Sequence, residues 1–313
     1  MGIDRTHILV LNYDGLALLQ ECLPSVLGAA EVAGATVGVV DNGSTDGSLE
    51  YLSTRHPEVR VSRRPNRGMA SFNDVLGQID APIALLLNND VKLDPGAVGP
   101  LVDALRSHPD ALFAAPRCWA FDGKTYEGMR TRVKMRRGLV DGRCRVPGHE
   151  DAAGRADLTA SAGPVLAVDR RKFLEVGGYD PVYFPGRIED LDLGFRGWMA
   201  GYRGYYVPES IAHHRGFGSF GPAFGARGCD RLAARNTLLF AWKNLAGGRL
   251  AAHLAWLVIR LIHAALTARW GFLQAFAGAL SRLSTATSRR RDAAVGGPGW
   301  VDRQEAYFER FAW

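Results

Sequence analysis

The sequence predicts an α/β fold, a largely parallel sheet with helices on both faces. Three observations predict it. Apolar, β-branched runs alternate with helix-spaced segments over residues 7–90, the pattern of strands joined by right-handed crossovers. The runs are continuously apolar, as strands covered on both faces are. Each run also ends on polar residues, and in an open parallel sheet ligands bind at the carboxyl ends of the strands.

In chain order, "HILVLNY" (7–13) reads as a buried strand and "LALLQECLPSVL" (16–27) as a helix. "TVGVVDN" (36–42) and "DGSLEYLSTR" (46–55) repeat the pair, as do "EVRVSRR" (58–64) and "MASFNDVLGQI" (69–79). "PIALLLNND" (82–90) is a fourth strand and residues 96–108 another helix. Residues 117–158 are rich in Gly and Arg with weak periodicity and read as a long loop or excursion. Order returns over 160–214, a second Gly-rich, aromatic segment covers 216–228, and the rest is mostly helical. There is no internal repeat.

A chain of 313 residues can bury a substantial core. Its 47% hydrophobic and 22% charged residues exclude a disordered protein. A net charge of +6 favours anionic partners, without choosing among them. Cys22, Cys118, Cys144 and Cys229 form no CxxC pair and no disulfide framework, so reduced thiols in the cytoplasm are expected. "MGIDRTHILVLNYDG" has no apolar run preceded by positive charge, so no signal peptide is expected.

The strand ends deliver Asn12, Tyr13 and Asp14, then Asp41 and Asn42, then Asn66, Arg67 and Gly68, then Asn88, Asn89 and Asp90. Polar residues also begin turns, and "DNGSTDG" holds a good turn and helix cap. Four such ends in succession favour a binding edge. No GxGxxG follows the first strand and no GxxxxGK[ST] occurs, which disfavours a dinucleotide fold and a P-loop NTPase.

"ILVLNYDG", "VGVVDNGSTDGSLEYL", "PNRGMASFNDVLGQIDAPIALLLNNDV", "SAGPVLAVDRRKFLEVGGYDPVYF" and "EDLDLGFRGWMAGYRGYYVPESIAHH" follow in that order. Together they resemble the family 2 nucleotide-sugar glycosyltransferases of GT-A fold, and within them the rhamnosyltransferase-like branch that builds bacterial polysaccharides. The resemblance spans about residues 6–245. It implies a GT-A domain over 1–245 and leaves 246–313 as a helical, amphipathic C-terminal extension. It also implies an inverting transferase using a dTDP- or UDP-linked sugar, a divalent Mg²⁺ or Mn²⁺, and a glycan or lipid-linked hydroxyl acceptor.

The resemblance implies the following roles. "NND" stands where the fold usually carries Asp-x-Asp, so Asp90 would hold the metal, while Asn88, which departs from that signature, and Asn89 would contact the donor. Asp41 would meet the base or ribose, with Asn12 and Asp14 shaping the base pocket. Asn66, Arg67 and Gly68 match an "N-x-G" loop in which Arg67 would pair with phosphate. Asp190, in "RIEDLDLGFR", is the expected catalytic base, with Glu189 in reserve. Asp192 and Arg196 suit an i, i+4 pair instead. In "IAHHRGFGSFG" one of His213 and His214 would join the metal, with His214 preferred. Arg235 would reach the diphosphate, and residues 216–225 would form a loop over the donor.

In the tail, Arg249, His253, Arg260 and His263 share one helical face, with Trp256 and Trp270 in the apolar remainder. Arg260 interrupts the apolar run and argues against a membrane span. An interfacial amphipathic helix is expected, its apolar side inserting and its basic residues drawn to anionic lipid, helped by "SRRRD" (288–292). Packing on the catalytic domain or in a homodimer is the alternative. No nucleic-acid partner is expected. The rival functions are a sugar nucleotidylyltransferase, which would want a Gly-rich N-terminal loop with Arg and Lys, and a non-catalytic nucleotide-sugar-binding member.

Overall fold

The computed structural model describes residues 6–216 and 220–313. The sheet begins with β1 (Thr6–Asn12), β2 (Thr36–Asp41), β3 (Arg60–Arg63) and β4 (Ile83–Asn88), all parallel, in spatial order β3-β2-β1-β4. Between them run α1 (Leu16–Ala33), α2 (Ser48–Arg55) and α3 (Ser71–Leu76). The "IALLL" of β4 is buried throughout, because both faces of the sheet are covered. Leaving β4 the chain forms β5 (Val91–Leu93), α4 (Val98–Ser107) and the long β6 (Ala111–Ala120).

Residues 117–158 depart from expectation. They continue β6 and then form β7 (Tyr126–Gly128), the hairpin β8 (Arg132–Arg136) and β9 (Leu139–Arg143), α5 (His149–Ala152) and β10 (Asp157–Leu158). The strands after β6 are only two to five residues long, too short for the period-2 alternation of "RVKMR" in β8 to stand out. Asp157 gathers Arg130, Arg132 and Arg310 into one ion cluster, which ties this excursion to the C-terminus.

The chain returns through β11 (Val165–Asp169), α6 (Arg170–Glu175), α7 (Glu189–Met199) and β12 (Arg203–His214). The whole sheet runs β10-β12-β6-β11-β4-β1-β2-β3, with β5 on β12 and β7 on β6. It is therefore mixed: β11 enters antiparallel to both β4 and β6, whereas β12 lies parallel to β6. The first core lies on this sheet, among residues such as Leu85, Leu87, Phe113, Val165 and Phe173.

A second core joins α7 to the C-terminal helices. These are α8 (Phe220–Asn244), which breaks direction at Gly225, α9 (Gly247–Leu266), α10 (Trp270–Leu280), α11 (Leu283–Asp292) and α12 (Trp300–Arg310). Phe195 of α7 packs edge-to-face on Tyr307 of α12, ring centroids 5.0 Å apart. The packing crosses residue 245, so the helices beyond it share a core with α7, β8 and β9. Of the loop expected over 216–225, residues 217–219 lie outside the described residues, Gly216 ends the segment after β12, and 220–225 open α8.

Candidate active site

The carboxyl ends of β1, β2 and β4 are tied together. Asn12 donates to Asp41 Oδ2 at 3.2 Å and to Ser44 Oγ at 3.0 Å, and accepts from Asn89 Nδ2 at 2.8 Å. Asp41 Oδ1 accepts from the backbone N–H groups of Gly43 and Ser44. Asn12 and Asp41 are fully buried, and in this structure they organise the loop after β2. Asp14, at φ 43, accepts from the Thr45 backbone at 2.7 Å and stands exposed beside them. Asn66 accepts from the Gly68 N–H. Gly68 sits at φ 59, and a Cβ there would lie 2.9 Å from the Pro185 carbonyl, so the close approach requires glycine.

Beyond β4 the side chains alternate. Asn89 turns back to Asn12, whereas Asn88 and Asp90 line a cavity of about 390 Å³. The same cavity is lined by Glu127, Glu189, Asp190 and His214. Asp90 is buried and its Oδ1 has no hydrogen-bond partner among the described residues. Its Oδ2 lies 3.5 Å from His214 Nε2, and Glu127 Oε2 lies 3.7 Å from the same ring's Nδ1. Burial alone would lower the His214 pKa, but the two carboxylates outweigh it and push it up to about 9. His213 faces the other way, with Nε2 3.0 Å from Asp94 Oδ1.

Among the described residues, no three His, Cys, Asp or Glu side chains converge into a metal cage. Mg²⁺ and Mn²⁺ sites commonly use few protein ligands and complete themselves with phosphate oxygens and water. The partnerless Asp90 oxygen beside an imidazole fits such a site, with the carboxylate as the hard ligand.

The other wall is the start of α7. Gly186, Arg187 and Ile188 precede it at φ 156, 77 and 74. Left-handed backbone is uncommon for a β-branched residue and marks a constrained loop. Asn236, fully buried, donates to the carbonyls of Tyr183, Gly186 and Arg187 at 2.8, 2.7 and 2.8 Å. Gly194 brings α7 against Ala160, whose carbonyl leaves no room for a Cβ. Asp192 points away from the cavity and is enclosed by Tyr183, Arg196, Lys243 and Asn244. Of the neighbouring pair, burial and the Asp190 charge push Glu189 up to about 8, and its Oε2 is buried without a hydrogen-bond partner among the described residues.

The sequence profile of "Glycosyl transferase family 2" matches residues 7–177. The chain belongs to glycosyltransferase family 2. This glycosyltransferase is 30% identical over 237 residues to an N-acetylglucosaminyl-diphospho-decaprenol L-rhamnosyltransferase of Mycobacterium tuberculosis, covering 68% of the chain and 76% of the relative. Its fold resembles that of S. aureus TarS residues 1–349 in complex with UDP-GlcNAc, with TM-score 0.56 and 14% identity over 98% of this chain and 89% of that one. It also resembles GalNAc-T7 solved with UDP, GalNAc and Mn²⁺, with TM-score 0.55 and 19% identity over 67% of this chain. The match spans 44% of that longer protein.

Three residues expected at the donor lie elsewhere in this glycosyltransferase. Arg235 donates to the Phe184 carbonyl at 2.7 Å and so clamps the loop before α7. Arg67 pairs with Asp74 at 3.1 Å and lines a different, larger cavity of about 640 Å³ between α7 and the C-terminal helices. The buried charges of that larger space are satisfied by one another: Lys243 by Asp180 and Asp192, Arg196 by Asp192. Asn89 is a brace for Asn12. Glu127 and Asn236 escaped the sequence reading. Glu127 sits in the segment read as a loop, and Asn236 follows the arginine that drew attention.

Proposed function

We propose that this chain is a metal-dependent, inverting glycosyltransferase. It moves a sugar, rhamnose by analogy with the mycobacterial relative, from a dTDP- or UDP-linked donor to a hydroxyl of a lipid-linked glycan. It works in the cytoplasm, peripherally at the inner face of the plasma membrane, where such acceptors are anchored. One observation carries the reading: Asp90, His214 and the Glu189–Asp190 pair line a single cavity at the carboxyl edge of the sheet.

Asp90 and His214 would hold a divalent ion, which when bound offsets the charge of the leaving diphosphate. The loop over residues 41–46, ordered by Asp41 and Asn12, would shape the nucleoside pocket. Asp190 would accept the proton of the acceptor hydroxyl as that oxygen bonds to the anomeric carbon. The bond from the anomeric carbon to the diphosphate oxygen breaks, and its electron pair leaves with the nucleoside diphosphate. Glu189, neutral at working pH, leaves the developing positive charge on the sugar facing one carboxylate.

The test is a panel of nucleotide sugars with Mn²⁺ or Mg²⁺ and a lipid-linked acceptor, with free nucleoside diphosphate as the readout. Acceptor-dependent release supports the reading. Pyrophosphate exchange would instead indicate a nucleotidylyltransferase, and binding without turnover a non-catalytic member.

A further inference from the structure

The C-terminal helix α9 docks on the enzyme by its polar face and leaves its apolar face outward. The basic side points inward. Arg249 forms an ion pair with Glu305, and His253 is fully buried, with Nδ1 2.6 Å from the Gly138 carbonyl and Nε2 accepting from Trp242 Nε1 at 3.0 Å. Arg260 donates to the carbonyl of Arg137 at 3.1 Å. The hairpin β8–β9 supplies these carbonyls at its tip, and a polar helix face is what unpaired backbone oxygens require.

The apolar side points outward. Leu254, Val258, Ile259 and Ile262 are each about half exposed, and Leu266 is 82% exposed. At 100° per residue they fall within one face of the helix. Trp270, at the start of α10, continues the patch at 67% exposure. A soluble monomer rarely leaves a contiguous patch of large aliphatic side chains in water.

We infer that this face of α9, extended by Trp270, is the surface by which the enzyme inserts into an anionic lipid bilayer. The occupant is argued from charge and from continuity with the active site. Residues 247–291 hold seven arginines and no aspartate or glutamate. Arg249, Arg260, Arg282 and Arg290 are bound to protein acceptors, while Arg269 next to Trp270 stays exposed. Arg136 and Arg137, also exposed, flank α9 at the hairpin tip. The same hairpin reaches the catalytic cavity through Gly142 of β9. One two-stranded ribbon therefore joins the apolar face to the site where a lipid-linked acceptor would be used, which is where the inference rests on the proposed function.

A spanning role for α9 does not fit. It would strip His253 and Arg260 of their carbonyl partners and place them in hydrocarbon. Since most of the basic residues are already engaged, insertion of the apolar face dominates over attraction to headgroups. Binding then persists at salt concentrations that would screen a purely electrostatic contact.

The experiment uses the full chain and vesicles of phosphatidylethanolamine with and without phosphatidylglycerol. Wild type is compared with an Ile259→Ser, Ile262→Ser, Leu266→Ser variant. These side chains are exposed, so the fold does not depend on them. The inference expects wild type to sediment with anionic vesicles, Trp emission to shift to the blue, and the variant to lose about tenfold or more in vesicle affinity. Equal sedimentation of variant and wild type would overturn it, as would wild type that stays soluble. A dimer of wild type, dispersed by the variant, with no vesicle binding would assign the face to a second copy and also overturn it. Donor consumption with a detergent-dispersed acceptor is read separately, so a failed surface and a failed transferase remain distinguishable.

Discussion

Asn236 of α8 holds the carbonyl oxygen of Arg187 at 2.8 Å, two residues before the Glu189–Asp190 pair. Arg187 and Ile188 carry left-handed backbone there, at φ 77 and 74. Such backbone is unfavourable by about 1–3 kcal/mol per residue and persists only where the surroundings enforce it. The clamp therefore positions the Glu189–Asp190 pair, in which Asp190 is the proposed base.

Asn236→Ala should lower kcat by about 10–100-fold, because a small misplacement of a catalytic group is expensive in rate. The donor KM should change little, since β1, β2 and β4 build the donor side. Asn236→Asp, which keeps the shape but loses both donors, should be as defective. Steady-state kinetics on folded variants decide this. A loss of thermal stability with kcat intact would reduce the clamp to a packing role.

Glu189 gives the pH dependence. Burial and the neighbouring Asp190 raise its carboxyl to about 8 from an ordinary value near 4.5. The folded state thus holds this proton more tightly than the unfolded chain does. Its contribution to stability is complete below the unfolded value and declines as pH rises through the window up to about 8. Glu189→Gln mimics the neutral acid and should abolish that decline. The variant should melt at the same temperature as wild type near pH 4.5 and a few degrees higher at pH 8. It should keep turnover at pH 7 within about threefold, because the neutral form is already the working one.

The proposed metal site makes a third prediction. Asp90→Ala should remove Mn²⁺-dependent affinity for UDP or dTDP in calorimetric titration. Glu127 Oε2 stands behind His214 Nδ1 at 3.7 Å and is itself held by Arg145 at 3.0 Å. A carboxylate behind a metal-bound imidazole typically contributes about 10–100-fold in metal affinity. Glu127→Gln should accordingly weaken Mn²⁺ binding in the presence of nucleotide, measured by electron paramagnetic resonance. Unchanged Mn²⁺ affinity in both variants would remove this cluster from metal binding.

The parallel strands β1 to β4 were legible because burial on both faces leaves continuous apolar runs, and their polar ends marked the edge where the cavity lies. Side-chain direction was less legible. Asn89 and Asp90 are neighbours, yet the strand end sends one to Asn12 and the other into the cavity. Arg67 and Arg235 carried charge suited to phosphate, but Asp74 and the Phe184 carbonyl captured them through contacts no local pattern encodes. The hairpin escaped notice because its strands are only five residues long and, although "RVKMR" alternates, "LVDGR" does not. In α9 periodicity separated the two faces correctly. Which face meets protein depends on the carbonyls at the hairpin tip, remote in sequence, and the helix docks by its basic side.

The most direct measurement is release of nucleoside diphosphate from a matched nucleotide sugar by wild type and Asp190→Asn, with and without lipid-linked acceptor. The account predicts acceptor-dependent release by wild type, a β-to-α or α-to-β change at the anomeric carbon by NMR, and a loss of about 10²–10⁴-fold in the variant with donor affinity preserved. Release by Asp190→Asn at the wild-type rate, or a product with retained anomeric configuration, would contradict it.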